Sequence, residues 1–309
     1  MMPAILSAFL SMVLILIAMA FYTLLERKIL GYSQLRKGPT KVSIFGIPQP
    51  LADAMKLLAK EKSSPSSANY TIFLLSPLLS FILALTLTSL LPIFTKSLLC
   101  KIPFLVFLFL TSLSIYPVFL SGWASNAKYS MLGALRGVAQ TISYEVSMVL
   151  IILSFLFMAK HLDFWHSSET SSFLALLMQP IIIFLWSFTI LAEANRTPFD
   201  LAEGESELVS GFNTEYGGAL FAIIFMAEYT SILMISMISA GLLCSAFSFF
   251  KLLNFMVMML FTAWFFLFFL FTRASLPRIR YDMLMNFTWK SMLPMSILLA
   301  QFYLLVSLF

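Results

Sequence analysis

Charge is scarce in this sequence: Asp, Glu, Lys and Arg supply 11% of its 309 residues, where a soluble globular domain carries roughly 25%. With 61% hydrophobic residues spread from end to end, and no polar block long enough to fold apart, a water-soluble core is excluded. The whole of 1–309 reads as one membrane domain. Cysteine and histidine are nearly absent, with two of each: Cys100, Cys244, His161 and His166. None stands in a CxxC, CxxCH or HExxH arrangement, so the chain cannot ligate an iron–sulfur cluster by itself. The two histidines, five apart, could share a metal only in an irregular loop, and a solvated connection is the plainer reading, so no metal site is expected. No glycine-rich nucleotide fingerprint is present. Any redox cofactors belong to partner proteins.

The net charge of +5 does not signal nucleic acid. Basic residues accumulate in membrane-protein loops on the cytoplasm-like side, and that bias raises the pI without a polyanionic partner. Residues 1–25 lack a basic leader and a small-residue cleavage site, so they read as a retained spanning helix. Glu26-Arg27-Lys28 follows at once, which places the amino terminus outside.

A span needs about 20 mainly apolar residues. Eight segments qualify: 3–25, 70–94, 102–124, 137–159, 171–192, 218–243, 252–272 and 291–309. The expected fold is therefore all-α, a polytopic membrane protein of about eight transmembrane helices. Alternate loops must lie on opposite sides, which the basic residues test. Loops 26–69, 125–136, 193–217 and 273–290 hold 15 of the 19 Lys and Arg; only Lys96, Lys101, Lys160 and Lys251 fall on the other side. These four are taken as the inner loops.

Within the first inner loop, Pro50 to Glu61 has apolar residues at 51, 54, 55 and 58, with Asp53, Lys56 and Lys60 off that face. The spacing predicts a short amphipathic helix on the membrane surface. Gly38-Pro39 and Ile47-Pro48-Gln49-Pro50 mark turns before it.

An ionisable group at the centre of a span costs about 2.5 to 3.5 kcal/mol on insertion scales, so each demands an account. Glu145 and Glu228 lie two to three turns into the fourth and sixth spans, with no basic residue three or four positions away. Each follows or precedes a tyrosine, Tyr144 and Tyr229. One reading is that they stay protonated and fix helix packing; the other is a polar path that carries protons. The loop 193–216 is more unusual. It gathers six acids, Glu193, Asp200, Glu203, Glu205, Glu207 and Glu215, with one arginine, on an otherwise basic face. Such a cluster could pass protons, coordinate a hard cation or dock a basic partner. Leu201, Leu208, Val209 and Phe212 are interleaved with the acids, as in a segment packed against protein. The spacing excludes an EF-hand.

Together, Glu26-Arg27-Lys28, Leu35-Arg36-Lys37-Gly38-Pro39, Gln49-Pro50-Leu51-Ala52-Asp53-Ala54-Met55-Lys56, the run 193–216, and Pro277-Arg278-Ile279-Arg280-Tyr281-Asp282 closely resemble the NADH dehydrogenase subunit 1 family of respiratory complex I. The resemblance runs from about residue 20 to 300, in order. It implies a membrane subunit of a proton-pumping NADH:quinone oxidoreductase, an enzyme subunit not catalytic alone. It further implies much of the quinone access chamber, with Arg27, Arg36, Asp53 and Phe225 matching chamber residues. Glu145, Glu193, Asp200, Glu203, Glu205, Glu207, Glu215 and Glu228 match the start of the acidic proton path. Ubiquinone is the implied substrate, and NADH, FMN and iron–sulfur clusters are implied in partner subunits. The implied partners are the quinone-proximal peripheral-arm subunits, neighbouring membrane-arm subunits and the lipid bilayer. The Phe- and Met-rich composition looks like a mitochondrially encoded member, which implies the inner membrane, with the amino terminus toward the intermembrane space and the inner loops toward the matrix. The sequence departs from the family where a lysine is usual about a dozen residues before Arg273: Leu260-Phe261-Thr262 has none, so that lysine's role does not carry over. Thr40 follows Gly38-Pro39 in place of asparagine, and Ser43 replaces a usual glycine.

Two other readings use the same acids. A membrane-bound hydrogenase subunit would keep them beside a nickel–iron partner. A secondary transporter would also use intramembrane acids, but such proteins often carry two related halves, and no clear repeat is seen.

Overall fold

A computed structural model describes residues 2–42, 45–61, 63–90, 102–159, 173–244 and 251–308. Cys100, His161, His166, Lys96, Lys101, Lys160 and Ser43 lie outside the described residues.

The first helix, α1 (Met2–Ser33), runs 32 residues. At 1.5 Å per residue that is about 48 Å, against a hydrocarbon core of about 30 Å. Its last two turns therefore extend beyond the expected span 3–25, and they carry Glu26 and Arg27 on helix instead of loop. The surface helix forms as α2 (Gln49–Ala59), opened by Pro50 in its first turn, where a missing N–H costs nothing. Its stripe Leu51, Met55 and Leu58 faces outward, 66 to 68% exposed.

There follow α3 (Tyr70–Leu87), ending in a 3₁₀ turn at Thr88–Leu90, and α4 (Pro103–Ala124). Next come α5 (Lys128–Ala159), α6 (Phe173–Glu193), the one-turn α7 (Glu205–Leu208) and a 3₁₀ turn at Gly211–Asn213. The last helices are α8 (Gly218–Cys244), α9 (Lys251–Ser275), α10 (Tyr281–Phe287) and α11 (Leu293–Leu308). Seven of the described helical stretches are long and apolar enough to cross a membrane, and α6 adds a shorter apolar run, Pro180–Glu193. The fold is thus an all-α polytopic membrane architecture, and eight is an approximate count of its spans.

Two boundaries differ from the sequence expectation. α5 starts at Lys128, nine residues before the expected 137, because the added turns bury small residues against the acidic loop. Of the expected inner loop 273–290, only 276–280 is non-helical. α10 and α11 are joined through one π turn, Thr288–Met292, into a stretch counted as a single span from Tyr281 to Ser307. Pro294 explains the π turn: its ring would clash with the carbonyl four residues back, and one wider turn absorbs that clash.

Burial separates central from peripheral helices. The spans of α5 and α8 are 61% and 56% buried, against 28% for α1 and for α9. α5 packs on α4, α6 and α11, while α8 packs on α1, α3 and α9. Trp186, Tyr144, Ile151, Ile152, Ile232 and Ile238 belong to one buried apolar cluster. In a bilayer such contacts gain by close packing, since lipid is as apolar as the side chains.

Candidate functional site

Glu26 is the centre of the site, and no sequence feature had singled it out. It is 3% exposed. Arg196 donates to its Oε1 from Nη1 at 3.2 Å, Arg273 donates to the same oxygen, and the Tyr229 hydroxyl donates to Oε2 at 2.5 Å. Four parts of the chain meet there: α1, the connection after α6, α8 and α9. A buried carboxylate persists only where its charge and lone pairs are both met, and these three donors meet them. The Arg196 guanidinium also sits 4.6 Å from the Tyr229 ring centroid, a cation–π contact. Tyr22, one turn before Glu26, meets Tyr229 edge-on with centroids 6.0 Å apart. Phe225 lies on the other side of Tyr229 at 6.3 Å, with Phe221 a further 4.4 Å along.

The acidic loop is pinned by its backbone. Gly211 has φ +56°, and a Cβ there would lie 1.8 Å from the Ala202 carbonyl oxygen, so only glycine fits. On α5, a Cβ on Gly133 would meet Gly211 Cα at 2.8 Å. Leu201, Leu208 and Phe212 turn inward as expected; Val209 does not, and is 67% exposed. Three of the carboxylates have donors of their own. Asp200 accepts from Arg278 at 2.8 Å, Glu207 accepts from Arg136 at 2.5 Å, and Glu203 accepts from Asn213 Nδ2 at 2.9 Å. The counter-charges come from α5 and from the connection after α9, far away in sequence. Burial, and then the neighbouring Asp200, hold the Glu203 carboxyl above the usual range, with Arg196, Arg273 and the Asn213 bond acting the other way. Glu215 is half-buried and makes no ion pair among the described residues. Glu205 opens α7.

The intramembrane acids join this network. Glu228 feels Glu203 and Asp200 on one side and Arg196 and Arg273 on the other. Its counter-charges thus come from other elements, not from its own helix. Glu193, at the end of α6, lies within electrostatic reach of Glu145 on α5. A cavity of about 100 Å³ holds Glu193 and Glu228 together with Asn195, Ser80, Thr111, Ser114 and Ser231. A second, of about 50 Å³, adjoins it through Ser80, Phe212 and Glu228. At about 30 Å³ per water, the first is large enough for a short chain of waters among these polar groups. Sequence adjacency to tyrosine does not become contact: Tyr229 serves Glu26, and the buried Tyr144 hydroxyl has no hydrogen-bond partner among the described residues.

In the first inner loop Arg27 donates to Asp53 at 2.5 Å, and Gln49 Nε2 donates to the other Asp53 oxygen at 3.0 Å. This seats the polar side of α2 on α1. Arg36 is exposed and makes no ion pair among the described residues. The structure therefore brings Arg27 and Asp53 together and sets Phe225 one ring from the Glu26 cluster, while Arg36 stands apart. Among the described residues no three His, Cys, Asp or Glu side chains group closely enough to hold a metal ion.

The sequence matches the NADH dehydrogenase family over residues 6–304. It is similar to the protein called NADH-ubiquinone oxidoreductase chain 1 of Artemia franciscana, 46% identical over 300 residues covering 96% of both chains. The like-named protein of Aedes aegypti is 43% identical over 307 residues, covering 99% of this chain and 96% of that one. That of Paracentrotus lividus is 47% identical over 289 residues, covering 92% and 89%.

Proposed function

The chain belongs to the NADH dehydrogenase family as a chain 1 member, and on that premise we propose that it couples quinone chemistry to proton movement in NADH:ubiquinone oxidoreductase. It is a membrane subunit of that enzyme, and other complex I subunits are its partners. Acting as one membrane domain in the mitochondrial inner membrane, it forms much of the quinone access chamber, and its acids begin the proton path. Electrons arrive from cofactors in partner subunits, and quinone takes up two electrons and two protons. Arg27, Arg36, Asp53 and Phe225 line the chamber. Glu145, Glu193, Asp200, Glu203, Glu205, Glu207, Glu215 and Glu228 carry the path. The amino terminus faces the intermembrane space, and the paired loops face the matrix and the peripheral arm.

One observation carries the reading: Arg196 and Arg273 both bond to Glu26 and both lie within electrostatic reach of Glu228 and Glu203. Phe225, here assigned to the chamber, stacks on Tyr229, which bonds Glu26, while Glu228 lines the cavity shared with Glu193. A charge appearing at the chamber end shifts the arginines' balance and so the acids' hold on protons. At protein-like dielectric two unit charges 4 Å apart interact by about 4 kcal/mol, enough to move a protonation equilibrium by orders of magnitude. Charge count supports the same view. Glu26, Asp200, Glu203, Glu228 and Glu193 share this region with Arg196, Arg273 and Arg278, so carboxyls outnumber guanidiniums.

Isolating the native assembly and assaying NADH-to-quinone electron transfer, with and without a quinone-site inhibitor, tests the assignment. Glu145→Gln or Glu228→Gln is expected to lower quinone-coupled proton transfer while NADH oxidation by an artificial acceptor persists. Quinone-coupled proton transfer at the unmodified level in both variants would remove the proton path.

A further inference from the structure

Gln140 on α5 is fully buried, and its one side-chain nitrogen serves two distant carbonyls. Nε2 donates to Ala192 O at 3.0 Å and to Phe199 O at 2.7 Å. These carbonyls bracket the segment 192–199. Glu193 follows the first directly, and Asp200 follows the second. The same segment is held from the opposite side, where Ile279 N donates to Pro198 O at 3.0 Å beside the Arg278–Asp200 pair. Along α5, Gly133, Gly137, Gln140 and Tyr144 fall at helical spacing on one face. Ala202 lies over Gly137, and Phe199 lies against Tyr144 with centroids 5.5 Å apart. Glu145 is the next residue along.

We infer that Gln140 is a positioning residue for the proton path: its carboxamide sets where Glu193 stands relative to Glu145 and where Asp200 stands relative to Arg278. The inference rests on the proton-path reading above. The chemistry requires an amide here. Only a side chain with two N–H groups on one atom can donate to both carbonyls while staying neutral in a buried site. A hydroxyl has one proton to give, and a lysine would bring an unpaired charge. Without Gln140 both carbonyls lose a donor, and the segment is free to drift between its remaining anchors. Proton transfer between carboxyls is sensitive to such drift, since a misplacement of about 1 Å can cost about a hundredfold in rate.

The test uses the assembled complex in sealed vesicles, with Gln140→Met, Glu193→Gln and the pair together. Methionine keeps the volume and gives up both donors. Each preparation is measured for NADH oxidation by ferricyanide, for protons moved per electron pair during quinone reduction, and for the pH profile of that reduction. Gln140→Met is expected to leave the ferricyanide rate per assembled complex unchanged, to lower proton-coupled quinone reduction about tenfold, and to displace its pH profile. The double variant is expected to lose less than the product of the two single losses, because the part of the Gln140 effect that runs through Glu193 has no target left once that residue cannot ionise. A double variant whose loss is the product of the two single losses overturns the inference, as does a Gln140→Met enzyme with the original pH profile and proton ratio. Should Gln140→Met not assemble, Gln140→Glu, kept neutral by burial, retains the length and a single donor, so one of the two carbonyls still goes unserved and the same outcomes apply. If Glu193→Gln alone leaves proton transfer intact, the proton path itself is what fails.

Discussion

Replacing Glu26 by Gln should be strongly destabilising although it exchanges a single heavy atom. The substitution preserves shape, so packing is not the cause. It deletes the charge that two guanidiniums and a phenol address: the Glu26 side chain is 4% exposed, Arg196 is 15% and Arg273 is 40%. Removing one partner from a buried ion pair costs about 3 to 5 kcal/mol, because the remaining charge is left without solvent or counter-ion. The Gln amide can still accept one bond, and Arg273 can reach water, so the lower end, about 3 kcal/mol, is expected. At about 1.4 kcal/mol per tenfold this exceeds a hundredfold shift toward the disrupted state. Asp53→Asn is the natural control. It breaks the Arg27–Asp53 pair, whose side chains are 52% and 34% exposed, and surface pairs contribute only about 0 to 1 kcal/mol. The assay is loss of inhibitor-sensitive NADH:quinone reduction on graded heating of the solubilised complex, together with the amount assembled. Glu26→Gln should fail at clearly lower temperature than Asp53→Asn. Adding Arg196→Met to Glu26→Gln should recover part of the loss by removing the stranded charge. Equal stability of Glu26→Gln and Asp53→Asn would refute the reasoning, because it would mean that the carboxylate is not what holds the four elements together.

Gly211→Ala should prevent assembly, since its Cβ would fall 1.8 Å from a carbonyl oxygen at a positive φ. Gly217→Ala should be tolerated, because its Cβ meets only the movable Ser63 hydroxyl; immunoblots of assembled complex separate the two. Tyr216→Phe removes a hydroxyl bonded to Ser76 at 3.0 Å and to Phe73 O at 3.3 Å, and keeps the ring stacked on Phe73 at 4.1 Å, so a loss of about 1 kcal/mol in thermal assays is expected. For Glu203 the linkage has a definite sign. Its folded carboxyl is held above the usual range, so the native state binds the extra proton, and the contribution to stability is complete at acid pH and lost as pH rises through the raised value. Glu203→Gln should flatten the pH dependence of thermal inactivation above the ordinary carboxylate range, and a steeper dependence would contradict the assigned cause.

The fold class, the surface helix and most helix positions could be read from apolar run length and spacing, because lipid imposes those patterns locally. α2 was expected at 50–61 and lies at 49–59. What could not be read was pairing at long range. The loop 193–216 looked like six acids against one arginine, yet Arg136 and Arg278 neutralise two of them from 71 and 78 positions away. Likewise Glu228 has no cation on its own helix but feels two from elsewhere.

Glu26 shows why the same signal can mislead. Glu26-Arg27-Lys28 reads as the basic flank that ends a span, and the acid is averaged away among basic neighbours. Yet on a helix the three residues point in different directions. Arg27 turns out to Asp53 on the surface helix, and Glu26 turns in to arginines 170 and 247 positions away. The usable clue was helical phase: Tyr22 and Glu26 are four apart on one face, with Met19 and Ile15 continuing it inward, and all four are buried. An acid in register with a buried stripe must find its counter-charge across the bundle. The basic residues nearest in sequence, which point elsewhere, cannot supply it.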